Sequence, residues 1–278
     1  MTSVKRYALT GLLLSALLLG GCGAAEEPAS GVPLEVYCFA AGSADAFLLT
    51  TADGAALIDT GERGFGQDIL AYLEEKGIER LDALIITHFD KDHVGGAAKV
   101  LNNFPVDLVL QSSRPKDSSE YERYVKALES AGLEPMTVRE TYEFTLGGVR
   151  FVVDPPQRES YNSDSSNNSS LIVSVYNGNN CLLFMGDAQT ERIGEFLASN
   201  RTTCDVLKVP HHGRDEPLME KLLESVQPKS AVITSSDDEP ESAETVALLE
   251  QAGAEVFLTR LGAVVIRCDG TELEISYE

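Results

Sequence analysis

From Leu34 onward the apolar residues gather in short runs cut by turn residues. LEVYCFA, AFLLTTA and AALIDTG, separated by GSAD and DG, predict a β meander. A helical period then takes over from Gln67 to Lys76, with Ile69, Leu70 and Leu73 on one face and Gly77 as its C-terminal stop. A continuous apolar run from Leu81 to Thr87 predicts a buried strand; the polar string HFDKDH, Gly95-Gly96 and the helix-like AAKVLNNF follow it. Asp107 to Leu110 reads as a strand, Ser119 to Ala131 as a helix and Val149 to Val153 as a strand. The stretch ESYNSDSSNNSS, Glu159 to Ser170, is low in complexity and by itself predicts a disordered loop. LIVSVY and CLLFMGD flank an Asn177-Gly178 turn and form a hairpin ending at Asp187. DVLKVPHHG comes next, then AVITSS with a helix near Ala243 to Ala252, and FLTRLGAVVIRC and LEISY close the chain. Strands with helices between them, in two successive halves, predict an α/β protein, a four-layer αββα sandwich over residues 34–278.

The beginning of the chain follows different rules. Lys5 and Arg6 precede an apolar run from Ala8 to Leu19 that is too short to span a bilayer comfortably, the layout of a secretory signal over residues 1–21. The run stops at Leu19-Gly20-Gly21-Cys22, which resembles the lipobox at which bacterial lipoproteins are cleaved and acylated. That resemblance implies lipidation of Cys22, a flexible tether through residue 33 and a place on the extracytoplasmic face of a bacterial membrane. Loss of Lys5 and Arg6 with the signal takes the formal charge from −22 to −24, a field that counts against non-specific binding to long duplex DNA. Cys38, Cys181, Cys204 and Cys268 form no C-x-x-C pair and lie in apolar stretches, which favours buried free thiols, although export permits disulfides.

All four histidines fall in two strings, His88 and His93 in HFDKDH, and His211 and His212 in PHHG, each directly after an apolar strand. Histidine concentrated in this way points to metal ligation. In HFDKDH, His88, Asp90, Asp92 and His93 occupy six residues, so that one tight loop can aim imidazoles and carboxylates at a common centre. Helix capping needs only one of them.

With these strings the chain resembles the metallo-β-lactamase superfamily, and most closely the hydrolase domain at the end of the ComEC DNA-uptake proteins. The landmarks run in order: Gly42-Ser43-Ala44-Asp45-Ala46, Leu57-Ile58-Asp59-Thr60-Gly61, Thr87 to His93 with Gly95-Gly96, Asn167 to Leu171, Met185-Gly186-Asp187, and Leu207 to Gly213. The resemblance implies two divalent metal ions, zinc or manganese. His88 and Asp90 would bind the first, Asp92, His93 and His211 the second, and Asp187 both. Asp59 would brace the ligand loop from behind, or be a strand-end turn residue. His212 would be the ligand of its pair, or else a proton donor to a leaving group, so that Asp92, Asp187 and His212 are the catalytic candidates. Asn167 stands where many members have a third ligand histidine, and an amide is a poor ligand.

Two cations sharing one water would give a bridging hydroxide as nucleophile, with no side-chain nucleophile required. The implied activity is that of a phosphodiesterase or nuclease-like hydrolase of a small-molecule or nucleic-acid phosphodiester. Lys208, unless it stands behind the ligands, would with Arg214 and the stretch Arg114 to Lys126 supply local positive charge to it. Ala40, Ala44, Arg214 and Asp238-Glu239-Pro240 depart from the ComEC pattern around the substrate rim. An esterase, lactonase or β-lactamase acting on an envelope compound is therefore the second expectation, and a non-catalytic ligand-binding lipoprotein the third. The sequence points to no protein partner.

Overall fold

The computed structural model describes residues 31–163, 166–199 and 203–278. The signal, Cys22 and most of the tether lie outside the described residues.

The first half contains β1 (Leu34–Cys38), β2 (Phe47–Thr51), β3 (Gly54–Ile58), α1 (Gly66–Glu75), β4 (Leu81–Ile86), α2 (Lys91–Val94), α3 (Ala97–Asn103), β5 (Val106–Gln111), α4 (Ser119–Ala131) and β6 (Met136–Thr137). The second contains β7 (Tyr142–Leu146), β8 (Val149–Asp154), β9 (Ile172–Asn177), β10 (Asn180–Phe184), α5 (Thr190–Ser199), β11 (Val206–Lys208), α6 (Met219–Val226), β12 (Ser230–Ile233), α7 (Ala243–Gln251) and β13 (Glu255–Leu258), followed by β14 (Val264–Cys268) and β15 (Leu273–Tyr277). One sheet has the order β15-β14-β1-β2-β3-β4-β5-β6 and the other β13-β12-β11-β10-β9-β8-β7.

The strands are apolar on both faces because each sheet is covered twice. Phe47, Leu49, Ala83, Ile85, Leu182 and Phe184 pack between the sheets, where the rings of Phe47 and Phe184 lie 5.2 Å apart. Leu48, Leu84 and Ile86 turn outward beneath helices that bring Ile69, Leu73, Val100 and Tyr124. On the other side Cys181, Leu183 and Leu207 meet Ile193, Phe196, Leu222 and Leu249. This is the four-layer αββα sandwich, and its double coverage explains the unbroken apolar runs.

Three local expectations change. FLTRLGAVVIRC is two strands in different sheets: β13 pairs with β12, and after a turn at Thr259–Leu261 β14 pairs with β1. Residues 166–170 are no disordered loop; Asn167 to Ser170 are buried, with Arg192 donating to Ser170 O at 3.0 Å and to Asn168 Oδ1 at 2.9 Å. The polar side chains there satisfy buried groups, which composition alone does not reveal. Cys181 and Cys204 form a disulfide, while Cys38 and Cys268 are free and buried. The two half-cystines lie 23 residues apart in sequence, so their approach is visible only once β10 and β11 are paired.

Candidate metal centre

The strands β3, β4 and β5 run parallel in one sheet, and β10, β11 and β12 run parallel in the other. The segments following them carry most of the charged groups of the centre: Asp59 after β3, His88 to His93 after β4, Asp187 after β10, and His211 and His212 after β11. In open α/β sheets the C-terminal ends of parallel strands are where ligands bind. Asp45, from the β1–β2 connection, completes the floor, its backbone N–H donating to Asp92 O at 3.1 Å.

Asp187 is the hub. Its Oδ1 lies 3.2 Å from His93 Nε2, and its Oδ2 lies 3.2 Å from His212 Nε2 and 4.0 Å from His88 Nε2. His212 Nε2 is also 3.4 Å from Asp92 Oδ2, and His88 Nε2 is 3.8 Å from Asp90 Oδ1. Despite these approaches His88 Nε2, His93 Nε2, His212 Nε2 and Asp187 Oδ1 are buried without a hydrogen bond. Four buried polar atoms in that condition are costly unless a cation joins them. The spacing fits one: two ligands held tetrahedrally at ~2.0 Å from zinc stand ~3.3 Å apart. Asp92, His93, Asp187 and His212 each offer an atom within 4.8 Å of the others.

The opposite ring nitrogens are held from behind. Asp59 accepts from His93 Nδ1 at 2.8 Å, from Thr87 N at 2.8 Å and from Thr87 Oγ1 at 2.6 Å. His88 Nδ1 lies 3.2 Å from Thr87 Oγ1 and 3.3 Å from Ser170 Oγ, and Ser170 Oγ accepts the Asp187 N–H at 3.1 Å. Such outer contacts orient metal-binding imidazoles. Gly186 takes φ 53° just before Asp187, where a Cβ would sit 3.0 Å from the Ser170 side chain, so this turn requires glycine.

Charge is balanced within the cluster itself. Burial pushes His93 toward neutrality, but Asp187, Asp59 and Asp45 outweigh it and hold its pKa well above the usual value. Burial works against His212 in the same way, yet Asp187, Asp92 and Asp45 raise it to about 9. Burial also opposes ionisation of Asp187, which His212 and His93 nevertheless keep well below the usual carboxylate range. His88 goes the other way, lowered by burial and by the neighbouring His93.

Two residues with open alternatives have definite places in the structure. His212, not His211, joins Asp92, His93 and Asp187. His211 Nδ1 stands 3.2 Å from Glu216 Oε1, and its Nε2 lies 3.3 Å from Asn167 Nδ2; Ser166, beside Asn167, donates to Asp90. The cause is backbone: His211 and His212 have φ 50° and 54°, and these successive left-handed residues send adjacent side chains in different directions. Lys208 is no substrate ligand, being only 2% exposed; its Nζ pairs with Asp45 and donates to Gly186 O at 3.1 Å. Asp45 and Thr234 were not expected to take part. Asp45 lies in a motif that the sequence marked without a role, whereas Thr234 carried no signal.

A cavity of ≈ 800 Å³ opens onto the cluster, lined among others by Asp90, Asp92, Asn167, Asp187, His211 and His212. Its rim carries Lys91, Lys116 and Arg214 against Glu62, Glu120, Asp238 and Glu239. Lys116 Nζ, on the β5–α4 connection, is 2.6 Å from Asp90 Oδ1.

Residues 40–235 match the model of the metallo-beta-lactamase superfamily. The chain belongs to this superfamily. It is 34% identical over 174 residues to ComE operon protein 3 of Bacillus subtilis, covering 60% of this chain and 21% of that one. It is 30% identical over 184 residues to Recombination protein 2 of Haemophilus influenzae, covering 64% and 21%. The chain thus spans about a fifth of the length of these curated relatives. Among solved structures, the metallo-beta-lactamase fold protein YhfI from Bacillus subtilis superposes with a TM-score of 0.56 at 12% identity, covering 88% of this chain and all of that one. This metallo-beta-lactamase-fold protein is a metal-dependent hydrolase with competence-type homologues, and its cluster has the donor set that divalent ions require. Among the described residues no helix is long and apolar enough to cross a membrane.

Proposed function

We propose that the chain is an exported, lipid-anchored phosphodiesterase of nuclease-like type that works with two divalent metal ions. The observation that carries this reading is Lys116, whose ammonium lies 2.6 Å from Asp90 at the edge of a cluster of imidazole and carboxylate atoms left without hydrogen bonds. Were Asp90 to turn its charge to a metal ion, the Lys116 ammonium now paired with it would be released to a phosphoryl oxygen as the bond to phosphorus is cut. His88 and Asp90 would hold one ion, Asp92, His93 and His212 the other, with Asp187 shared between them. The chemistry such ions supply is activation of water near neutral pH and stabilisation of negative charge on the phosphoryl group. His211 lines the cavity with its Nδ1 against Glu216, and is the group that would protonate the leaving oxygen.

Four rim carboxylates oppose three rim cations, and Lys91 and Arg214 are already tied to Glu62 and Glu239 at 2.9 Å each. A rim of this kind, on a chain of formal charge −22, favours a short or single-stranded phosphodiester over long duplex DNA. The name of one relative, Recombination protein 2, agrees with a nucleic-acid-related substrate. The test is turnover by residues 23–278, loaded with each metal in turn, of a phosphodiester, single-stranded DNA and RNA, a cyclic dinucleotide, a lactone and a cephalosporin. Phosphodiester or nucleic-acid turnover is expected; cleavage of only the lactone or cephalosporin would overturn the reading, as would no turnover at all.

Export is supported by the basic and apolar start of the chain, by Cys22 and by the Cys181–Cys204 disulfide, a bond that persists outside the reducing cytosol. Cys22→Ala should move the protein from the detergent-extracted membrane fraction to the soluble or culture fraction. Unchanged fractionation would remove the anchor.

A further inference from the structure

Two arrangements beneath the imidazoles repeat one another. In the first half of the chain, Thr87 Oγ1 donates to Asp59 at 2.6 Å and stands 3.2 Å from His88 Nδ1. In the second, Thr234 Oγ1 stands 3.0 Å from His212 Nδ1 and donates across to Asp45 Oδ1 of the first half at 2.7 Å. Thr87, Thr234, Asp59 and Asp45 are all buried, so no solvent competes for these bonds. Asp45 Oδ1 is itself 3.6 Å from His212 Nδ1, too far for a direct hydrogen bond.

A hydroxyl has one proton to give. Once Thr234 has donated it to Asp45, the same oxygen faces the imidazole only as an acceptor, and His212 can satisfy it only through Nδ1–H. In the neutral ring Nε2 is then the nitrogen with the lone pair, and it is Nε2 that lies against Asp92 and Asp187 without a hydrogen bond. Lys208 occupies the other carboxylate oxygen, Asp45 Oδ2, which keeps Asp45 an acceptor at both ends.

We propose that Asp45, acting through the Thr234 hydroxyl, positions His212 and sets its tautomer for metal binding. The proposal rests on the metal-centre reading above. Neither residue touches the cavity contents, so both are positioning residues, and Asp45 gains the role that the Gly42 to Ala46 motif lacked. Two threonine relays thus stand behind one histidine in each half, both on carboxylates of the first half, although Thr87 is adjacent to its histidine and Thr234 is 22 residues away.

The test is calorimetric titration of metal-free protein with zinc and with manganese, in the unsubstituted form, Thr234→Val and Thr234→Ser. Thr234→Val should weaken one of the two metal equivalents about 10- to 100-fold and leave the other, as loss of an outer contact does; Thr234→Ser should restore it. In the zinc-loaded protein the His212 Nδ1–H should be seen by ¹⁵N NMR in the unsubstituted and serine forms and become exchange-broadened in the valine form. If Thr234→Val fails to fold, Thr234→Ala carries the same measurement. Unchanged affinity for both equivalents in the folded hydroxyl-free variant would overturn the relay alone. Failure of the unsubstituted protein to take up either metal would overturn the metal-centre reading as well.

Discussion

The two halves of the sandwich build their shares of the centre by different means. The first half supplies His88, Asp90, Asp92 and His93 from one loop running into the short helix α2, and of the residues in or bracing that loop only Asp59 has a left-handed backbone, at φ 57°. The second half supplies Asp187 and His212 from turns in which Gly186, His211, His212 and Gly213 all have φ between 50° and 71°. Left-handed geometry costs a non-glycine residue about 1–2 kcal/mol and persists where its surroundings impose it. Here it separates neighbours and unites strangers. The rings of His211 and His212, adjacent in sequence, are 6.4 Å apart, while those of His93 and His212 are 5.5 Å apart. A ligand set in one loop can be read from spacing; a ligand set on strained turns depends on the backbone.

Asp187 is where the halves meet, so its loss should have the largest effect. Asp187→Asn keeps the shape but cannot share a full negative charge among His88, His93 and His212. Metal content and kcat/KM should fall by more than the about 10- to 100-fold typical of an outer-shell contact, with circular dichroism unchanged. A variant with full metal and full turnover would remove Asp187 from the centre.

Lys208→Met attacks the second half from beneath and should act on stability before activity. It leaves Asp45 buried beside Thr234 with its cation gone, and removal of one partner from a buried pair costs about 3–5 kcal/mol. Denaturant unfolding of the metal-free protein measures this. A loss below about 1 kcal/mol, the range of a surface ion pair, would show that the pair is not buried in solution.

The same contrast explains what was legible beforehand. The layers and most strands could be read because continuous apolar runs reflect sheets covered on both faces. HFDKDH could be singled out because its four donors fall within six residues. The helix Thr190–Ser199 was not among the expected elements although Ile193, Phe196 and Leu197 have helical spacing, because its 10 residues repeat that period too few times to stand out. The choice between His211 and His212 stayed open because no pattern in sequence encodes two successive positive φ angles without glycine. Whether Lys208 meets substrate or stands behind the ligands could not be read, because the sequence cannot show that its strand is central to a sheet, with β10 on one side and β12 on the other. The disulfide depended on that same pairing of β10 and β11.

Paired substitutions in PHHG sharpen the comparison further. His212→Gln should lose one metal equivalent, whereas His211→Gln should keep both and lower kcat, as loss of a proton donor does. Equal metal loss in both would return His211 to the ligand set. Protons add a second measurement: metal-free His212 titrates at about 9, and only unprotonated Nε2 binds metal. Uptake below that pH therefore expels a proton, and affinity should fall as pH drops, by up to about tenfold per unit for one proton. His212→Gln should flatten that slope.

The smallest expected effect concerns which metal each half prefers. On the first-half side His88 is the one imidazole at hand, with Asp90 and the shared Asp187 as oxygen donors and the Asn167 amide nearby. The cluster completed by the second half has two imidazoles, His93 and His212, with Asp92 and Asp187. Oxygen donors suit harder ions such as manganese, and imidazole suits zinc, although zinc binds most sites more tightly in absolute terms. Activity with manganese should therefore at least equal that with zinc. Asp90→His should shift the preference toward zinc, and because it also removes the carboxylate that Lys116 pairs with, the ratio of the two metals is the quantity to compare, not the rate with either. Titration of metal-free protein with each ion, followed by turnover, decides the matter: zinc-only activity in the unsubstituted protein, unaltered in Asp90→His, would show that the two halves do not differ in hardness and that the contrast between them lies in backbone geometry alone.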